Sequence, residues 1–176
     1  MQLTAGLQAM QKPSSSNALR DVFLTVLGEQ KKSSFINHAY QDNEDALQTL
    51  KNKHVLIAED NVVNQMVIVG MLKKLGMTTE VANHGLEALT LYVNSPLAYD
   101  LVLMDCEMPV LDGYQATEKR RDFEQKQHLR PIHIIALTAH AMREQRQRCL
   151  EVGMNDFLAK PLAFEHLKQI LKLVFG

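Results

Sequence analysis

The stretch that decides the fold is Leu101-Val102-Leu103-Met104-Asp105-Cys106-Glu107-Met108-Pro109-Val110-Leu111-Asp112-Gly113. It opens with an apolar run, and a polar turn that contains proline and glycine follows at once. This order is typical of a short buried strand that ends in a loop. The pattern therefore predicts Asp105 at the C-terminal end of a strand, where we expect its carboxylate to face solvent.

Three more apolar runs end in polar residues in the same manner. The residues at those ends are Glu59 and Asp60 after residues 55–58, Thr138 after residues 132–137, and Lys160 after residues 156–159. In a parallel α/β sheet, the ligand crevice lies outside the carboxyl ends of the strands. Three acids, one hydroxyl and one ammonium group should therefore meet at one edge of the sheet. Such a group of side chains suits Mg²⁺ and a phosphoryl group.

Strand and helix patterns alternate five times from Lys53 onward. This alternation predicts an α/β fold with a doubly wound, five-stranded parallel sheet. The predicted strands lie near residues 54–58, 78–82, 100–104, 132–137 and 156–159. The predicted helices lie near residues 62–75, 84–94, 113–124, 140–152 and 163–175.

The composition of the 176 residues, with 46% hydrophobic and 22% charged side chains, is that of a soluble globular protein. The net charge of −1 creates no field that would recruit nucleic acid or an anionic membrane. The apolar runs are far shorter than the roughly 20 residues of a membrane span, and no secretory signal is visible. Two cysteines, Cys106 and Cys149, fit a reducing compartment. We therefore expect a cytoplasmic domain without direct contact to membrane or nucleic acid.

Two segments carry a family resemblance, namely Ala58-Glu59-Asp60-Asn61-Val62-Val63-Asn64-Gln65 and Met104-Asp105-Cys106-Glu107-Met108-Pro109-Val110-Leu111-Asp112-Gly113. The chain from about Lys53 to Gly176 resembles a response-regulator receiver domain, which has the flavodoxin-like fold. More narrowly, it resembles the receivers that are fused to hybrid sensor histidine kinases. The resemblance implies a phosphorelay module that takes a phosphoryl group from a phosphohistidine and then relays it or switches its binding surface.

The resemblance also implies a role for each residue of the site. Asp105 would be the phosphoacceptor, and Thr138 and Lys160 would contact the phosphoryl oxygens. Thr138 and Phe157 would form the switch, with Phe157 at the aromatic switch position. The implied Mg²⁺ ligands are the carboxylates of Glu59, Asp60 and Asp105 and the backbone carbonyl of Glu107, with Asp60 as the most direct ligand. The first acid is Glu59 where the family more commonly has aspartate, which adds one methylene group.

The implied partners are a histidine-containing phosphotransfer domain or a histidine kinase dimerisation domain, and other modules of the same parent chain. The first helix of the predicted receiver has two apolar stripes, and the one with spacings of three and four suits packing on the sheet. The second line contains Val62, Met66 and Val69, and we expect it to dock the helical module that bears the histidine. Two alternatives stay open: ordinary scattered exposure, or coverage by a helix at the N-terminus.

The N-terminal residues repeat part of the C-terminal pattern. Lys12-Pro13 aligns with Lys160-Pro161, and the apolar positions of the following helices then match up to Gly28 and Gly176. We expect residues 1–28 to be the last strand and helix of a preceding receiver-like domain, residues 29–52 a linker, and residues 53–176 the receiver domain. The alternative is an unrelated amphipathic helix with a chance Lys-Pro match.

Two other functions fit parts of the sequence. One is a receiver-like adaptor that docks without phosphorylation, and the complete set of acids, threonine and lysine argues against it. The other is a Mg²⁺-dependent aspartyl-phosphate hydrolase. The sequence pattern of such enzymes has a second aspartate two residues after the nucleophile. This chain has Glu107 at that position. No kinase domain is visible, so we expect no stand-alone enzyme activity beyond self-phosphorylation and slow hydrolysis of the aspartyl phosphate.

Overall fold

The computed structural model describes residues 44–176, and strands and helices alternate through this part of the chain. Residues 44–48 are helical. The elements that follow are β1 (His54–Ala58), α1 (Val62–Lys74), β2 (Thr78–Ala82), α2 (Gly85–Asn94), β3 (Leu101–Asp105), α3 (Gly113–Lys126), β4 (His133–Thr138), α4 (Arg143–Glu151), β5 (Asp156–Ala159) and α5 (Phe164–Phe175). Within the described residues, no helix combines the length and apolar character needed to cross a membrane.

The five strands form one parallel sheet in the order β2-β1-β3-β4-β5. The predicted fold is therefore confirmed. From β1 the chain moves outward to β2 on one side and then crosses to β3 on the other. A ligand crevice is expected where this direction reverses, at the carboxyl ends of β1 and β3. That edge carries Glu59, Asp60 and Asp105.

The sheet has an apolar core on each face, because alternate residues of a strand point to opposite sides. One core contains Leu56, Val102 and Ile134 and packs against α2, α3 and α4. The other contains Ile57 and Leu103 and packs against α1 and α5. The central strands are buried on both faces, which explains why their sequences read as continuous apolar runs.

The fourth helix begins later than the pattern predicts. The predicted start was residue 140, but α4 begins at Arg143, and Met142 is extended with φ −71° and ψ 150°. The Thr138 hydroxyl accepts a hydrogen bond from the backbone N–H of His140 at 3.1 Å, and this bond holds the segment in a non-helical turn. Because α4 begins at Arg143, residues 139–142 form a non-helical connection between Thr138 and this helix.

The predicted remnant at residues 1–28 lies outside the described residues, as does most of the linker at residues 29–52. At the end of that linker, Leu50 is buried and Leu47 is partly buried in the core beside α1 and α5. The division at residue 53 therefore stays a prediction, and the packed unit extends a few residues upstream of it.

Candidate functional site

Strand pairing brings the predicted site residues together at the C-terminal ends of the strands. Asp105 is the last residue of β3, and Thr138 is the last residue of β4. Glu59 follows β1 directly, and Lys160 follows β5 directly. In the register, Ala58 pairs with Met104, Asp105 with Leu137, and Thr138 with Ala159. The four side chains therefore project from adjacent strand ends, as the sequence predicted.

Lys160 joins the two buried acids of the site. Its Nζ lies 2.7 Å from Oε2 of Glu59 and 2.8 Å from Oδ2 of Asp105. Glu59 is fully buried, and Asp105 is only 3% exposed. The expectation that the carboxylate of Asp105 faces solvent was therefore wrong. Asp105 is buried at the end of β3, and Asp60 is the exposed acid of the cluster.

The three acids are close enough to share one cation. Carboxylate oxygens of Glu59, Asp60 and Asp105 all lie within 4.8 Å of one another. Three carboxylates and one ammonium group leave a formal charge of about −2 when all are ionised. A divalent cation with oxygen ligands would balance that charge, and Mg²⁺ commonly takes one or two carboxylates in such sites. The residues present therefore fit the ion that the sequence predicted.

Burial and ion pairing oppose each other at this site. Burial raises the pKa of Asp105 to about 6, although hydrogen bonds from Lys160 and the Glu107 N–H act in the opposite direction. Burial also acts to raise the pKa of Glu59, but hydrogen bonds from Lys160 and the Asn61 N–H outweigh it, so that pKa is lowered. For Lys160, burial is outweighed by its bonds to both acids, and its pKa is raised. Lys160 therefore stays charged and holds the two acids together.

The loop after β3 is shaped around Asp105. The Glu107 N–H donates to Oδ1 of Asp105 at 3.1 Å, and the Gly113 N–H donates to the carbonyl of Cys106 at 3.1 Å. A Cβ atom on Gly113 would lie 2.1 Å from the carbonyl oxygen of Asp105, so only glycine allows this close approach. Val110 has φ +70°, which is strained for a β-branched residue. The role of the Glu107 carbonyl as a metal ligand stays a prediction.

The two residues predicted to form the switch, Thr138 and Phe157, both contact α4. The Thr138 hydroxyl oxygen lies 3.0 Å from Oε1 of Gln145 and 3.0 Å from the carbonyl oxygen of His140, so its single proton can serve either acceptor. The guanidinium of Arg146 lies over the ring of Phe157, 4.2 Å from its centroid. Sequence reasoning missed Gln145 and Arg146, because their partners are distant in the chain and carry no local motif.

The first turn of α1 supports the acidic pair. Oδ1 of Asn61 caps the helix by accepting from the Val63 and Asn64 N–H groups, while the Asn61 N–H donates to Oε1 of Glu59 at 3.1 Å. Nε2 of Gln65 donates to the Glu59 carbonyl at 2.6 Å. An asparagine directly before an apolar helix is a recognisable N-cap signal, so this support could have been predicted.

The exposed apolar face of α1 differs in part from the predicted line. Val62 and Met66 are 63% and 70% exposed, in agreement with the prediction. Val69 is partly buried against the core, because it borders the packed stripe of Ile68 and Leu72. Val63 and Val67, which are 67% and 47% exposed, complete the surface instead. We call Val62, Val63, Met66 and Val67 the α1 patch; it begins two residues after Asp60.

Known proteins resemble this chain over the part that forms the site. The family model described as response regulator receiver domain matches residues 55–172. The sensor histidine kinase GacS of Pseudomonas protegens is 32% identical over 164 residues, which cover 93% of this chain and 17% of GacS. The chain therefore spans less than a fifth of the length of that relative.

Two solved structures have the same fold. One is the receiver domain of the sensor histidine kinase PA1611 from Pseudomonas aeruginosa, which has a magnesium ion coordinated in its active site cleft. It is 42% identical with a TM-score of 0.63, and the match covers 71% of this chain and 98% of that one. The other is the complex of the Saccharomyces cerevisiae phosphotransfer protein Ypd1 with the receiver domain of Ssk1. Here the identity is 31%, the TM-score 0.67, and the coverage 71% and 90%.

Proposed function

Because this chain belongs to the response regulator receiver domain family, we propose that Asp105 accepts a phosphoryl group from a phosphohistidine with Mg²⁺ as the cofactor. The observation that carries the proposal is the position of Lys160, which bridges Glu59 and Asp105 at 2.7 and 2.8 Å. This arrangement gathers an acid that can act as nucleophile, a fixed cation and a set of oxygen ligands at one sheet edge. Phosphoryl transfer depends mainly on such positioning and charge neutralisation.

Asp105 supplies the nucleophile. With a pKa near 6, its carboxylate is largely ionised at neutral pH and has an electron pair to offer to phosphorus. As the new oxygen–phosphorus bond forms, the nitrogen–phosphorus bond of the phosphohistidine breaks and the imidazole keeps that electron pair. The product is an acyl phosphate on Asp105. The Glu107 N–H at Oδ1 and Lys160 at Oδ2 hold the carboxylate in one orientation for this reaction.

Mg²⁺ would be held by Glu59, Asp60, Asp105 and the Glu107 carbonyl, and it supplies charge neutralisation for the phosphoryl oxygens when it is bound. The chain's own groups act beside it. The ammonium of Lys160 binds a phosphoryl oxygen, and the hydroxyl of Thr138 turns from its present acceptors to another. That rotation removes the hydrogen bond to Gln145 and so changes how α4 is held. The neighbouring contact of Arg146 with Phe157 lies on the same helix.

The proposed partner is a helical module that carries the donor or acceptor histidine, docked on the α1 patch. The patch is apolar, exposed and adjacent to the acidic pair. A complex between a receiver and a histidine phosphotransfer protein is known for Ssk1 and Ypd1, which supports this type of partner. The similarity to GacS over 93% of the chain supports a hybrid histidine kinase as the parent protein. A cytoplasmic location is part of the proposal and rests on the sequence features alone. We propose that residues 53–176 form the receiver domain of that parent protein.

The function is tested by phosphorylation in two steps. The chain is first incubated with acetyl phosphate and Mg²⁺, and the mass and position of the adduct are determined by mass spectrometry. We expect one phosphoryl group on Asp105 and none when Mg²⁺ is removed with EDTA. A phosphohistidine protein is then used as the donor. An adduct at another residue, or none with either donor, contradicts the proposal.

A further inference from the structure

The two cysteines of the chain lie in contact beside the phosphorylation site. Sγ of Cys106 is 3.9 Å from Sγ of Cys149, and both side chains are buried. Cys106 directly follows Asp105, whereas Cys149 lies on α4, 43 residues later in the chain. Packing alone does not require that the only two cysteines of the sequence meet. Their contact joins the loop of the phosphoacceptor to α4.

We propose that Cys106 and Cys149 are a modification site, at which a peroxide closes an intramolecular disulfide that ties α4 to the loop after Asp105. A disulfide has a sulfur–sulfur distance of about 2.05 Å, so the two sulfurs must approach by roughly 2 Å. Such an approach requires rotation of the two side chains and a small shift of α4. The closed ring links two elements that are otherwise joined only by non-covalent contacts.

A cleft beside Cys106 offers a route for a small oxidant. It has a volume of about 390 Å³ and is lined by Cys106, Met108, Tyr114, Gln145 and Arg148 among others. The guanidinium of Arg148 lies 3.9 Å from the centroid of the Tyr114 ring and forms one wall. The cleft therefore lies between the loop after β3 and α4, the two elements that the disulfide would join. Cys106 lines this cleft and Cys149 does not, so we expect a peroxide to react with Cys106 first.

The reaction balances with peroxide as the two-electron oxidant. The sulfur of Cys106 attacks one peroxide oxygen, the oxygen–oxygen bond breaks, and a sulfenic acid and water are formed. The sulfur of Cys149 then attacks the sulfenic sulfur and displaces a second water, so both thiol protons leave in water. Burial, with a further contribution from Cys149, raises the pKa of the Cys106 thiol to about 12, so oxidation should be slow.

The disulfide should restrain the switch, a consequence that rests on the proposed function. Helix α4 carries Gln145, which holds the Thr138 hydroxyl, and Arg146, which covers Phe157. Cys149 lies one turn further along the same helix. A covalent tie at Cys149 therefore favours the arrangement in which Thr138 is held away from an incoming phosphoryl group. Oxidised protein should accept a phosphoryl group more slowly than reduced protein.

The bond itself is tested first. The full chain is treated with hydrogen peroxide, unfolded in N-ethylmaleimide, and analysed by intact mass and by mapping of proteolytic peptides. We expect a product that has lost two hydrogens, resists alkylation and joins Cys106 to Cys149, and that is reversed by dithiothreitol. Cys149→Ala should form no such product. Oxidation of Cys106 to sulfinic acid with Cys149 still free, a disulfide between two chains, or persistent free thiols overturns the proposal.

The coupling is tested on the same samples by labelling with acetyl phosphate and Mg²⁺. Oxidised wild-type protein should be labelled several-fold more slowly than reduced protein, and dithiothreitol should restore the rate. Peroxide should leave the labelling rate of Cys106→Ala unchanged, because this variant lacks the sulfur that reacts first, and the comparison controls for damage elsewhere. A disulfide without any change in labelling overturns the coupling to the switch. Absence of labelling in reduced protein would contradict the proposed function instead, while the mass of the disulfide remains readable.

Discussion

The ammonium nitrogen of Lys160 lies 2.8 Å from Oδ2 of Asp105, and yet the pKa of Asp105 is raised to about 6. Burial of the carboxylate, with Glu59 as a second nearby acid, therefore outweighs the ion pair in the metal-free protein. At neutral pH, Asp105 is therefore ionised although its burial disfavours the charged form. A bound divalent cation would relieve this cost, and so would a neutral side chain at this position.

Replacing Asp105 by asparagine should stabilise the metal-free protein at neutral pH. Folding raises the pKa of Asp105 from its ordinary 3.8 to about 6. Its contribution to stability is therefore fully present below pH 3.8 and is lost as the pH rises through about 6. Asp105→Asn should raise the free energy of unfolding by about 1–3 kcal/mol at pH 7.5, and the gain should shrink towards pH 4. Urea unfolding in EDTA at several pH values measures it.

The matched control for that experiment is Asp122→Asn. Asp122 is exposed on α3 and pairs with Lys126 at 2.6 Å, and such surface pairs contribute at most about 1 kcal/mol. Its replacement should not produce the pH-dependent gain. A wild-type protein that is more stable than Asp105→Asn at pH 7.5 would show that the ion pair with Lys160 outweighs burial.

The exposed acid of the cluster should control metal binding. Mg²⁺ should raise the melting temperature of the wild-type chain, because a ligand that binds only the folded state stabilises it. Asp60→Asn should remove most of this increase, since the substitution replaces a charged ligand with a neutral one. Differential scanning calorimetry with Mg²⁺ and with EDTA measures the difference.

Glu107→Gln provides the comparison for Asp60→Asn. The side chain of Glu107 is exposed on the loop beside the site, and the substitution keeps the backbone carbonyl that we predict as a ligand. The Mg²⁺-dependent increase in melting temperature should therefore persist in this variant. Its loss would mean that the carboxylate, rather than the carbonyl, holds the ion.

Sequence patterns predicted the strand ends well because each end combines an apolar run with an abrupt polar residue, and parallel pairing then requires those ends to meet. Thr138 and Lys160 were found in this way. The burial of Asp105 was not predicted, since burial depends on tertiary contacts that a local sequence pattern does not encode. The contact of Thr138 with Gln145 depends on where α4 begins, and helix boundaries shift easily when a side chain captures a backbone group. The side of α1 that Val69 occupies depends on packing against the core.

Relief of backbone strain at Val110 should stabilise the protein. Val110 has φ +70° and its side chain is 74% exposed, so little packing is lost on its removal. Val110→Gly should therefore raise the free energy of unfolding by about 1 kcal/mol, after the greater chain entropy of glycine in the unfolded state is included. The control is Val63→Gly, at an exposed position in the first turn of α1, which should destabilise by about 0.5–1 kcal/mol. Destabilisation by both substitutions would show that Val110 is not strained.

The α1 patch should be needed for transfer between proteins and not for the chemistry of Asp105. Met66 is 70% exposed on α1 near the acidic pair, and lysine at this position would place a charge where an apolar partner surface is expected. Met66→Lys should slow phosphoryl transfer from a phosphohistidine protein by roughly tenfold, as a loss of about 1.4 kcal/mol of docking energy would give. Labelling by acetyl phosphate should be normal, because this small donor needs no docking surface.

Leu97→Lys separates docking from a general effect of added charge. Leu97 is 87% exposed in the loop before β3. It lies near the N-terminal end of this strand, whereas Asp105 lies at its C-terminal end. This variant receives the same charge and should be phosphorylated normally by both donors. An equal loss of both reactions in Met66→Lys would indicate a damaged fold, and no loss in either would remove the α1 patch from the docking surface. Slower transfer in Leu97→Lys as well would mean that net charge, rather than contact at α1, governs the encounter.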